Sequence, residues 1–234
     1  MYNLTNIISL YNYMNSLGIK NNEFYLAIAG FGSGISQTII GHPFDTVKVY
    51  RQNSLNKKIK FTNLFRGISY PLMTNSLICS INFSSYEYFK NYTSSNIISG
   101  GLSGIITGFF INPIEIKKIK KQLFINNHIS YTSGLGLCIS REVVSYSIYF
   151  YTYNKLKEKN LSILNSGGIA GTLSWFFSYP IDVIKTRIQS QKYKTIKSCI
   201  IHGKLMNGII ICLLRAYPVN AVGLYSYEWL KNIF

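Results

Sequence analysis

Pro43-Phe44-Asp45-Thr46-Val47-Lys48, Pro113-Ile114-Glu115-Ile116-Lys117-Lys118 and Pro180-Ile181-Asp182-Val183-Ile184-Lys185 are three copies of one pattern, Pro-x-acid-x-x-Lys. A Gln follows each proline at the same interval, at Gln52, Gln122 and Gln189. The step from Pro43 to Pro113 nearly equals the step from Pro113 to Pro180. That period is too long for most solenoid repeats and long enough for two membrane-crossing helices.

The acids follow the same order. Of the eight in the chain, Asp45, Glu115 and Asp182 lie in the three motifs. Glu87 and Glu228 lie in a second pattern, Tyr-Glu-x-x-Lys, spanning Tyr86 to Lys90 and Tyr227 to Lys231. Glu142 sits inside an apolar stretch, which leaves only Glu23 and Glu158 without a pattern. A solvated surface scatters its carboxylates; here most of them are placed.

Composition points to lipid. Only 14% of the residues are charged against 47% hydrophobic, well below the usual charged quarter of a soluble domain. The net charge of +16 invites a nucleic-acid reading, but its distribution argues against one. Residues 24–44, 67–86, 91–114 and 161–181 carry no charge beyond the motifs' own ends, and two more apolar stretches, 129–154 and 205–227, are broken only by Arg141, Glu142 and Arg215 near their centres. Each is about as long as a helix crossing hydrocarbon, and none alternates as a barrel strand does. Six spanning helices, two per repeat, are expected. Sixteen basic residues fall in the connections after the first, third and fifth spans and six on the opposite side. This bias orients the chain and puts both termini on the poorer side.

The expected units are an N-terminal tail, 1–22, and repeats over 23–93, 94–160 and 161–234. Small residues recur four apart on the odd spans, at Gly30 and Gly34, at Gly100, Gly104 and Gly108, and at Gly167 and Gly171. That spacing lets helices approach closely in lipid. Cys79, Cys138, Cys199 and Cys212 are dispersed, as are the three histidines, so no metal site, redox pair or cofactor is expected. No nucleophile–base constellation points to an enzyme. From Met1 to Asn22 the only charged side chain is Lys20, so an organellar address is expected to be internal.

Three repeats, six spans and a Pro-x-acid-x-x-Lys motif closing each odd span resemble the mitochondrial carrier family, from about residue 24 to 232. The resemblance implies an all-α membrane protein with six tilted helices in three pseudo-threefold repeats. A central cavity would open alternately to the intermembrane space and the matrix of the mitochondrial inner membrane. It implies a matrix gate in which motif acids pair with lysines of neighbouring repeats: Asp45 with Lys118, Glu115 with Lys185, and Asp182 with Lys48. A lone buried pair barely exceeds its desolvation cost, which suits a gate that recloses; the alternative is static assembly. Gln52, Gln122 and Gln189 are expected to brace this ring.

The Tyr-Glu-x-x-Lys units resemble the opposite, outer gate, with Glu87, Lys90, Lys157, Glu228 and Lys231. Repeat two departs from the pattern: Asn154 stands where an acid is expected, so this gate should be weaker. The repeats are also shorter than is usual for the family. The surface helices that the resemblance implies on the matrix side are therefore expected to be clipped.

Ionisable residues inside a membrane default to function, and repeat-built transporters bind near the midplane. Matched to the family's contact positions, the candidate substrate residues are Thr74 and Asn75, Arg141 and Glu142, and Arg215; Asn82 shares a face with Asn75. A cation beside an anion suits a zwitterion, the Arg taking a carboxylate and the Glu an ammonium. The alternative is an internal Glu142–Arg215 salt bridge. Arg-acid at 141–142 and the segment Leu214 to Ala221 resemble carriers of amino acids, carnitine and related amines. The ADP/ATP exchanger pattern does not match.

The compact, Asn- and Ile-rich chain also resembles carriers encoded by giant DNA viruses. There, in a host cell's mitochondria, a nucleotide or deoxynucleotide would be the cargo. A third reading, of another class, is a proton leak or membrane scaffold without cargo. Expected partners are a small charged metabolite and the bilayer, with cardiolipin as a candidate lipid. A monomer is expected, and no nucleic acid.

Overall fold

The structure is a computed structural model. It describes residues 21–52, 64–65, 67–123, 130, 132–190, 193, 195–201 and 203–233, without the side chains of 21–23, 47–52 and 118–123. The helices are α1 (Asn21–Gln52), α2 (Ser69–Lys90), α3 (Asn96–Leu123), α4 (Leu135–Glu158), α5 (Ile163–Gln189), the short α6 (Ile196–Ile201) and α7 (Ile209–Ile233). Among the described residues there is no strand. Six long helices match the six expected spans.

The helices outrun the apolar stretches. Pro43, Pro113, Pro180 and Pro218 lie inside α1, α3, α5 and α7 rather than at their ends. A helical proline costs a backbone bond and favours a kink. The charged turn beyond it stays helical because Lys and Arg stems are good helix formers. Pro71 falls in the first turn of α2, where a missing N–H costs little. Ser162 caps α5, its hydroxyl accepting from the Asn165 backbone N–H at 3.4 Å.

The strongest packing runs within each repeat, α1 on α2, α3 on α4 and α5 on α7. Neighbouring repeats meet through α2 and α3, α4 and α5, and α7 and α1, so the six helices close into a ring. The glycine stripes face their partner helices. A methyl group on Gly30 would lie 2.8 Å from Ser80 Cα, and one on Gly104 would lie 2.7 Å from the Glu142 carbonyl oxygen. In repeats one and two the odd and even helices therefore touch backbone to backbone, and in repeat three Gly171 makes room for the Asn220 side chain.

The ring is built inside out relative to a soluble protein. Phe109, Phe110 and Phe177 are more than half exposed, whereas Ser33, Ser99, Ser103, Thr107 and Asn112 are fully buried. An apolar exterior around a polar interior is the arrangement a bilayer favours. By length and composition alone, Phe24–Thr46, Asn96–Lys117 and Ile209–Ile233 are apolar enough to cross a membrane. Polar side chains are buried on α2, α4 and α5 as well, among them Asn82, Arg141, Glu142, Ser174 and Ser178. The largest apolar cluster lies toward the Tyr-Glu-x-x-Lys end and contains Phe83, Tyr86, Tyr149, Phe150, Tyr153 and Tyr227. Among the described residues one further helix, α6, lies in the connection after α5, and it is less than two turns long. Arg187 on α5 donates to its Cys199 carbonyl at 3.1 Å and to that of Gly203 at 3.0 Å.

Candidate functional site

The charged groups fall into two layers. In the first, the Tyr-Glu-x-x-Lys units meet at the ends of α2, α4 and α7. Lys231 Nζ lies 2.5 Å from Glu87 and Lys157 Nζ 3.1 Å from Glu228. These pairs join repeat three to repeat one and repeat two to repeat three. At the position between repeats one and two, Asn154 replaces the carboxylate. It donates to the Tyr86 hydroxyl at 2.8 Å, and Tyr86 donates to Asn96 at 3.0 Å. Lys90 rests 5.6 Å from the centre of the Tyr86 ring. Just below, Tyr86 stacks on Phe150 at 3.5 Å and Phe83 on Tyr227 at 4.0 Å, so the mouth is stopped with rings.

Tyrosines belong to this layer as well, beyond the residues expected from sequence. Tyr153 donates to Glu228 at 2.7 Å and Tyr227 to Glu87 at 3.5 Å. The signal was available, since a Tyr precedes the acid position in all three repeats, at Tyr86, Tyr153 and Tyr227.

In the second layer the motif acids meet the mid-span arginines. Of the expected ring pairs, Glu115–Lys185 is formed at 2.6 Å, with the Lys185 side chain 2% exposed. The side chains of Lys48, Lys118, Gln52 and Gln122 lie outside the described residues. The described partners of the other two acids differ from the expectation. Asp45 is held by Arg215, with Nε 2.9 Å from Oδ1 and Nη2 donating to Oδ2 at 2.9 Å. Asp182 lies 3.6 Å from Arg141 Nε and 3.5 Å from its own helix's Lys185. Arg141 also contacts Glu142 directly and comes within 3.8 Å of Glu115. The Glu142–Arg215 bridge is not formed: Glu142 pairs with its neighbour and Arg215 with Asp45.

The physical reason is register. Thr74, Arg141 and Arg215 precede Glu87, Asn154 and Glu228 by one common interval, so they are equivalent positions in the three repeats. The two arginines each point at the motif acid of the next repeat. Arg215 of repeat three reaches Asp45 of repeat one, and Arg141 of repeat two reaches Asp182 of repeat three. Thr74 of repeat one is too short to do the same, and Glu115 is served by Lys185 instead.

The remaining candidates separate. Thr74 donates to the Tyr70 carbonyl of its own helix at 2.9 Å. Asn75 donates to the Gly34 carbonyl at 3.2 Å and to Thr38 at 3.1 Å, pinning α2 to α1. Asn82, expected beside the substrate, is instead buried between α2 and α3, near Ser103 at 3.4 Å and Thr107 at 3.3 Å. An amide in an apolar seam needs partners, and those hydroxyls supply them. Gln189 donates to Asn112 at 2.9 Å, about one helical turn before Glu115, rather than to the Glu115–Lys185 pair. Trp175 lies against the Arg141 guanidinium, 5.7 Å from ring centre to Cζ, a contact not expected from the sequence.

The chain is similar to known proteins over most of its length. A family model described as mitochondrial carrier protein matches residues 21–96 and 157–234. The glutamate/glycine mitochondrial carrier of Schizosaccharomyces pombe is 25% identical, over 86% of this chain and 91% of its own. The mitochondrial arginine transporter of Arabidopsis thaliana is also 25% identical, over 86% and 88%. The mitochondrial basic amino acids transporter of Homo sapiens is 26% identical, over 83% and 85%. With repeats, ring and motif acids in place, and with most of its length matched, this chain belongs to the mitochondrial carrier family of membrane transport proteins.

Proposed function

We propose that the protein exchanges an amino acid across the mitochondrial inner membrane by alternating access, without covalent chemistry, as a monomer in the bilayer with cardiolipin among its lipids. The observation that carries the reading is the second charged layer. Arg215 offers a planar fork to a carboxylate. Its present partner Asp45 has a side chain 49% exposed, so the pair is open to exchange with a solute. Asp182 and Glu115 supply acceptors for an ammonium or a basic side chain. Three of the similar proteins are named for amino acids, two of them for arginine or basic amino acids.

Thr74, Asn75, Arg141, Glu142 and Arg215 form the substrate layer in this reading; Asn82 is a helix pin. Asp45, Glu115 and Asp182 with Lys48, Lys118 and Lys185 form the matrix gate. Glu87, Lys231, Glu228 and Lys157 close the outer one, where Asn154 leaves Lys90 without the acid that the pattern would give it. The purified protein in liposomes loaded with arginine, lysine, glutamate or glycine should take up labelled amino acid in exchange. Uptake only against nucleotides would overturn the cargo, and uptake of nothing would leave the leak or scaffold reading.

A further inference from the structure

The Arg215–Asp45 pair has a consequence for release of the cargo. We propose that Asp45 is an internal competitor for Arg215 and displaces the cargo's carboxylate from it on the matrix side. The inference rests on the amino-acid reading above and goes beyond it by assigning a second task to a gate acid.

Four observations support it. First, Nη2 of Arg215 donates to Asp45 Oδ2 at 2.9 Å, and Nε lies 2.9 Å from Oδ1 without a hydrogen bond of its own, on the face of the guanidinium a substrate carboxylate would use. Second, the two residues come from opposite ends of the chain, α7 and α1, so the contact depends on how these helices are set and is not a local pairing. Third, the Asp45 side chain is 49% exposed and that of Arg215 32%, so water and solute reach the carboxylate and part of the guanidinium, although Nε itself is buried. Fourth, the outer gate is closed in this same conformation through Glu87–Lys231 and Glu228–Lys157. The arginine is thus occupied by the protein's own carboxylate while the path to the outer side is shut.

Two carboxylates, one tethered and one free, compete for a single guanidinium. The tethered one acts at a high effective concentration, so it competes well against a dilute solute. A ligand shifts a conformational equilibrium only by its differential affinity for the two states. Cargo on Arg215 frees Asp45 to meet a motif lysine, and Asp45 on Arg215 frees the cargo. Arg141 repeats the arrangement more loosely with Asp182, 3.6 Å away. Asp45 is therefore a positioning residue acting through Arg215.

The test separates this task from ordinary gating. Asp45→Asn removes the competitor; Lys118→Gln weakens the same gate but leaves Asp45 on Arg215; Asp45→Glu keeps the charge. Each is purified, thermally melted against a series of amino-acid concentrations, and assayed for exchange in liposomes. Asp45→Asn should bind its amino acid about two- to fivefold more tightly, the size a half-exposed ion pair supports, while exchanging more slowly. Lys118→Gln should slow exchange without tighter binding, and Asp45→Glu should restore wild-type affinity. Unchanged or weaker binding by Asp45→Asn, or equal tightening by Lys118→Gln, would overturn the inference while wild-type exchange still supports the function. A wild-type protein that neither binds nor exchanges any amino acid would remove both.

Discussion

Arg141 and Glu142 are adjacent in sequence, in direct contact, and 7% and 2% exposed. Removing one partner of a buried pair leaves an uncompensated charge, at a cost of about 3–5 kcal/mol. Arg141→Ala alone should therefore lower the melting temperature as well as stop exchange. The double variant Arg141→Ala/Glu142→Ala should melt higher than Arg141→Ala. Thermal melts of the three proteins check this, and a double variant less stable than either single one would count against pairing. Arg215→Ala should behave differently, because its pair is half-exposed: exchange is lost with little change in stability. At this scale the sequence showed which charges lie mid-span, since a charge amid a long apolar run is conspicuous. It did not show their partners. Arg215 and Asp45 are 170 residues apart, and their meeting depends on the register of two helices that no local pattern encodes.

Among the helices, the glycine stripes set how closely neighbours approach. Gly104 faces the Glu142 carbonyl and Gly30 faces Ser80 Cα, both backbone atoms that no rotamer change can move aside. Gly104→Val should push α3 from α4 and tilt Glu142 away from Arg141. The expected result is a protein that reaches the membrane with a lower melting temperature and little exchange. Gly136, which has open space around the added methyl position, should accept alanine without such loss. Stripe and span were both legible because close packing in lipid demands small residues at a four-residue interval. Helix ends were not: the apolar runs stop at the prolines, but the basic turns beyond them remain helical. Asn82 is a related case. A polar residue on an inward face can serve a neighbouring helix as well as a solute, and only the facing Ser103 and Thr107 decide between them.

Among the described side chains the repeats are joined by ion pairs unequally. Repeats two and three share Glu115–Lys185, Arg141–Asp182 and Glu228–Lys157, and repeats one and three share Asp45–Arg215 and Glu87–Lys231. Among the described residues no ion pair joins repeats one and two. Neutral hydrogen bonds through Tyr86, Asn96 and Asn154 do so at the outer end. Asn154→Asp should supply the missing carboxylate to Lys90. A surface-accessible pair is worth up to about 1 kcal/mol, so the variant should melt higher and exchange up to about fivefold more slowly. Faster exchange or a lower melting temperature would mean that the Tyr86–Asn154 bond matters more than the absent charge.

The stacked rings beneath that mouth bear on the energy stored across the membrane. Tyr86 lies on Phe150 and Phe83 on Tyr227 at van der Waals contact, so neither pair admits a water molecule between its faces. An unbroken file of water would let a hydronium charge hop from molecule to molecule. Rings that stay stacked narrow the room for such a file, and so favour a carrier that spares the voltage of the membrane around it.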